Sequence, residues 1–234
     1  MKYQLTVTPG KKQLLWGLIY LPIDLLALPL LLSLGVMLLR QLSSVSITQG
    51  QFNGIYFAVN FLVVVLIFRK FLLEELQRAK GRMHHILADA SLGFLAYMVA
   101  NTLVSMMILT LDPEFGNVND AAISEMASQD YWIILVGTVL LVPVTEELLF
   151  RGVLFAGLYN RSPIAAYLVS MLVFSSVHVV GYIGQYSVMT LLLCLLQYIA
   201  PSICLCWAYA KSDSFLTPVI IHTVVNTLGV LAMR

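Results

Sequence analysis

The run Val142-Pro143-Val144-Thr145-Glu146-Glu147-Leu148-Leu149-Phe150-Arg151-Gly152 sets two adjacent carboxylates and an arginine inside an apolar stretch. Two later apolar stretches each carry a histidine, as Phe174-Ser175-Ser176-Val177-His178 and His222-Thr223-Val224-Val225-Asn226. A carboxylate held away from bulk water is the stronger base, and with a histidine beside it can orient and deprotonate a water molecule. A second histidine and an asparagine amide are suitable donors to the oxyanion that forms when water attacks a carbonyl. Water, base and oxyanion donors together make an amide hydrolase. Singly, each of these residues also fits a satisfied buried polar contact; the joint set weakens that reading.

The elements that must position these groups are membrane helices. The chain is 60% hydrophobic and 11% charged over 234 residues, with a mean hydropathy of +0.90. Soluble domains average about 25% charged residues, and apolar runs near 20 residues belong in a bilayer. A charge at the bilayer centre costs roughly 2.5–3.5 kcal/mol on insertion scales, so the Glu146, Glu147 and Arg151 cluster is expected to face a polar interior. A net charge of +1 without a basic block excludes a nucleic-acid partner. Cys194, Cys204 and Cys206 fall within one apolar segment and read as small packing residues.

Seven apolar segments emerge, at about 13–39, 52–69, 86–111, 131–159, 162–181, 186–210 and 214–232. Pro201 is expected to kink or split the sixth, which leaves an eighth span open. The first run is too long for a cleavable signal and reads as an uncleaved span. Residues 69–85 are expected to continue span two as an interfacial helix ended by Gly81, with Glu74 four residues before Arg78. With the N-terminus inside, the inner side collects Lys2, Lys11, Lys12, Arg69, Lys70, Arg78, Lys80, Arg82, Arg161 and Lys211, while the outer side receives Arg40 and Arg234. The segment 112–130, acidic and without Lys or Arg, is expected to be an external loop. Asp24 and Asp89 are read as structural.

Helical spacing puts Glu147 and Arg151 on one face and turns Glu146 about 100° away. Counted from the inner ends at about 1.5 Å per residue, Glu146 and His178 lie roughly 20 and 24 Å deep, and His222 and Asn226 roughly 12 and 18 Å. Tilt and side-chain length can bridge those differences, so the spacing allows convergence.

At these positions the sequence resembles the CPBP (Abi) family of intramembrane proteases, which includes type II CAAX prenyl endopeptidases and bacteriocin-processing or immunity proteins. Its pattern of Glu-Glu-x-x-x-Arg, Phe-x-x-x-His and His-x-x-x-Asn or Asp is met at Glu146–Arg151, Phe174–His178 and His222–Asn226, and Pro143, Gly152 and Ser170 also fit. Where the family often carries spaced glycines, this chain has Gln197-Tyr198-Ile199-Ala200-Pro201. The resemblance covers about residues 131–232. It implies an all-α polytopic bundle whose site opens toward the cytoplasm. Glu146 and His178 would activate water, His222 and Asn226 would stabilise the oxyanion, and Glu147 and Arg151 would hold the site together. It divides the chain into N-terminal helices, 1–130, and a catalytic core, 131–234.

The expected partners are a peptide or lipidated peptide and the lipid bilayer of a bacterial cytoplasmic membrane. No cofactor is expected: the helical zinc pattern His-Glu-x-x-His is absent, and zinc on the Glu and His residues stays open as an alternative. Two other functions compete with hydrolysis, namely a non-catalytic scaffold or immunity protein and a proton-coupled transporter.

Overall fold

A computed structural model describes residues 4–43 and 46–233. Lys2 and Arg234, assigned above to the inner and outer sides, lie outside these described residues. The fold is all-α, with no named strand among the described residues. Six helices are long and apolar enough to cross a membrane: α1 (Lys11–Leu42), α2 (Gln49–Ala79), α3 (Met83–Leu111), α4 (Val118–Tyr159), α5 (Pro163–Tyr182) and α6 (Val188–Ser212). A shorter apolar helix, α7 (Leu216–Ala232), completes a polytopic helical membrane bundle.

The helix starts follow from local chemistry. Thr48 and Gln51 form a reciprocal cap at α2, with Thr48 Oγ1 accepting from Gln51 N and Gln51 Oε1 from Thr48 N. Ser162 caps α5 just before Pro163, and Ser187 caps α6. α2 has 31 residues, about 46 Å of helix against a hydrocarbon core of about 30 Å. Its surplus is the charged stretch after Phe68, so the expected interfacial helix is a straight continuation of span two, closed by the turn at Gly81.

Two expectations are corrected. Pro201 does not split α6, which runs unbroken from Val188 to Ser212, so no eighth span arises there. The missing N–H is tolerated inside a packed bundle, where Pro201 is itself buried. The segment 112–130 is not a simple loop either. Asn117 accepts from the backbone N–H of Asn119 and Asp120, starting a helix that continues into span four past a non-helical Asp130.

Contacts define two ends. At one, Asn160 brackets Leu5 by accepting from its N–H and donating to its carbonyl. There Arg78 meets Asp213 at 2.7 Å and Glu75 at 2.9 Å, and Lys211 pairs with Asp89. Buried Glu75 also accepts the N–H of Phe215 at 2.7 Å, which anchors the entry to α7. The lysines and arginines assigned above to the inner side, Lys2 apart, belong to this basic end. The opposite end holds the acidic segment 112–130, where Thr48 bonds Asp130 and Asn117 donates to Gln197. Among the described residues Arg40 is its only cation, and it donates to the carbonyl of Ile47.

The core is asymmetric. Leu5, Phe68, Phe71, Leu148, Leu149, Phe155, Tyr209 and Phe215 are buried together toward the basic end. Leucines such as Leu26, Leu62, Leu103 and Leu172 point outward on the lipid-facing flanks. Where α3 crosses α6 and α7, Gly93 allows close approach: a Cβ there would lie 2.5 Å from Ile221 Cδ1 and 3.0 Å from Ala208 Cβ.

Candidate functional site

Three wide, π-helical turns interrupt the helices, at Ile23–Ala27, Gly137–Leu141 and Glu147–Phe155. Such turns recur at functional sites because they rotate side chains out of the regular α register. Each touches the same place here. The first carries Asp24, the second supplies the carbonyl of Thr138, and the third carries Glu147 and Arg151.

Glu147 and Arg151 are fully buried and paired, Oε1 to Nη1, at 3.2 Å. Burial at this depth demands further partners, and both have them. Glu147 Oε1 also accepts from His222 Nδ1 at 2.8 Å. Arg151 Nη2 donates to Ser202 Oγ at 3.2 Å, and its guanidinium lies 4.2 Å from the centre of the Phe174 ring. Ser170 donates to the carbonyl of Phe150 at 3.0 Å, tying α5 to α4 beside the pair.

Glu146 faces the other way, into a cavity of about 570 Å³. Its Oε2 lies 3.8 Å from His178 Nε2 and 3.9 Å from His222 Nε2. That oxygen is buried and has no hydrogen-bond partner. His178 Nδ1 is 2.8 Å from the carbonyl of Phe174, so Nδ1 is the donor, and in the neutral ring Nε2 presents a lone pair to the gap. Tyr198 stacks on the imidazole, ring centres 4.2 Å apart, and fixes its plane. Asn226 lines the same cavity, and its Nδ2 donates to the carbonyl of Thr138 at 2.8 Å. Glu146, His178 and His222 thus converge, Glu147 and Arg151 stand behind them, and Asn226 faces the shared cavity.

Several lining groups were not in the expected set. Asp24, read as structural, is buried and accepts from Tyr56 Oη and Asn60 Nδ2, each at 2.6 Å. It lines this cavity together with those partners. Asn119, which donates to Tyr198 Oη at 3.1 Å, and Asp120 come from the segment expected to be a loop. A buried Asp on an apolar helix was the visible signal for the first. Nothing in the spacing announced the second. Asp89, also read as structural, pairs with Lys211 at the basic end. No group of three or more His, Cys, Asp or Glu among the described residues has the arrangement of a metal site.

The cavity reaches Asn53, Asn117, Tyr182 and Met233, all toward the acidic end, and stops at Phe150 and Leu205 before the buried aromatic layer. The expectations of an inward N-terminus and of a cytoplasmic opening therefore do not hold together. The basic end is the closed one.

Residues 128–228 match the family model described as type II CAAX prenyl endopeptidase Rce1-like. The resemblance read from the three motifs is thereby shown for this segment. The fold is that of an integral membrane protein, and its segment 128–228 is similar to the CAAX-protease-type family. The chain is also similar to UPF0177 protein YxdF of Lactococcus lactis subsp. lactis (strain IL1403), 29% identical over 142 residues that cover 58% of this chain and 71% of the relative. No solved structure matches it.

Proposed function

We propose that this protein is an intramembrane endopeptidase in which Glu146 and His178 activate water and His222 and Asn226 stabilise the oxyanion. The observation that carries this reading is the unpartnered Glu146 Oε2, set 3.8 and 3.9 Å from two histidine Nε2 atoms at the wall of a cavity lined by both polar and apolar side chains. Gaps of that width are too long for direct bonds and suit one bridging water. The water donates one hydrogen to Glu146 and the other to the lone pair of His178 Nε2. Attack on a peptide carbonyl passes the first proton to Glu146, and the carbonyl oxygen gains negative charge. His222, held by Glu147 through Nδ1, donates from Nε2 when protonated at both nitrogens. Two carboxylates then balance one guanidinium and one imidazolium. Asn226 spends one amide N–H on Thr138 and keeps the second for the oxyanion. Collapse breaks the C–N bond, and Glu146 returns its proton to the leaving amine.

The test is cleavage of a peptide library by the purified protein, with Glu146→Ala as the comparison and a chelator added in parallel. Cleavage lost in the variant and kept with the chelator supports this mechanism. Loss with the chelator points to zinc on the same residues. Absence of cleavage by the unsubstituted protein overturns the reading in favour of a binding or immunity role.

A further inference from the structure

We propose that the cavity opens on the extracytoplasmic face of the membrane, and that the site takes a peptide presented at that outer face. The inference rests on the endopeptidase reading for the word substrate, and on the charge bias together with the cavity geometry for the direction. Short loops rich in Lys and Arg stay on the cytoplasmic side. In this bundle the basic end gathers the turn around Lys80 and Arg82, the Arg161 turn and Lys211, all fixed by contacts between distant segments. No cavity-lining residue belongs to that end. The buried layer of Leu148, Phe155, Tyr209 and Phe215 closes it.

We place the mouth at the other end, where the lining runs through the helix that starts at Asn117, Tyr182 of α5 and Met233 after α7. His178 is some fifteen residues from the basic end of α5, about 22 Å of helix, and only the turn through Tyr182 separates it from the mouth. The charge bias and the cavity thus point in opposite directions along the membrane normal. A peptide in the cytoplasm meets the closed end; a peptide at the outer face meets Glu146.

Cysteine labelling in intact cells tests this. Gly81 and Gly116 are exposed, and a Cβ added at either meets no atom within 4 Å. With a membrane-impermeant maleimide and the unsubstituted protein as background, Gly116→Cys is expected to label in intact cells. Gly81→Cys is expected to label at least tenfold more after permeabilisation. Lys80→Cys and Glu114→Cys read the same two ends should either first variant express poorly. The reverse pattern, or equal labelling of both ends in intact cells, overturns the proposal. Labelling does not depend on catalysis. The expected pattern with no cleavage by purified protein removes the endopeptidase reading and leaves the orientation standing. The reverse pattern with Glu146-dependent cleavage removes the orientation alone.

Discussion

Glu147 Oε1 receives the Nδ1–H of His222 across 2.8 Å, joining residues on the fourth and seventh helices that are 75 positions apart. The same oxygen lies 3.2 Å from Arg151 Nη1. One carboxylate oxygen therefore sets the plane of an imidazole and neutralises a fully buried guanidinium, while its neighbour Glu146 faces the cavity.

Removing that carboxylate should cost fold before it costs chemistry. Glu147→Ala strands Arg151 without its anion, a loss of about 3–5 kcal/mol for a broken buried pair. A large drop in Tm of the detergent-solubilised protein is the expected result. Glu146→Gln, whose oxygen has no protein partner to lose, should leave Tm nearly unchanged while abolishing turnover.

Asn226→Ala removes the donating amide. Loss of one oxyanion donor typically lowers kcat by about 10²–10³. The expected outcome is a fall of that order in kcat with little change in KM, measured on any peptide the protein cleaves. An unchanged kcat would remove Asn226 from the oxyanion site.

Gly93→Ala should couple packing to the site. The added methyl crowds Ile221 and Ala208, and overpacking of this kind costs about 1–3 kcal/mol. Ile221 precedes His222, so the variant is expected to lose both thermal stability and turnover.

Substrate charge should matter near the cut. Among the described residues the cavity is lined by Asp24, Asp120 and Glu146 and by no lysine or arginine. Peptides with Glu flanking the scissile bond are expected to be cleaved about tenfold less efficiently than the same peptides with Lys, equivalent to about 1.4 kcal/mol. Paired kcat/KM measurements check this.

The sequence carried the site's identity better than its setting. Three polar motifs on three apolar runs allowed Glu146, His178 and His222 to meet, and fourfold spacing was enough to pair Glu147 with Arg151. Counting depth along regular helices could not place them, because the wide turns at Gly137–Leu141 and Glu147–Phe155 change the rotation per residue. The acidic segment misled through its charge: Asn117 is a helix cap, but five carboxylates without a cation read as loop. Pro201 misled for the opposite reason, since a helix breaker in water is tolerated when neighbouring helices hold the segment. The contribution of Asp24, Tyr56 and Asn60 depends on how the first two helices lean on the fourth, and no periodicity encodes that.

The buried layer of Leu148, Phe155 and Tyr209 closes the cavity toward the basic end. A polypeptide cannot be threaded through such a chamber and shortened stepwise, as it can in a tunnel. A segment that reaches Glu146 from the acidic end cannot leave through the basic end, so any cut made there would leave both pieces on the side from which the segment came.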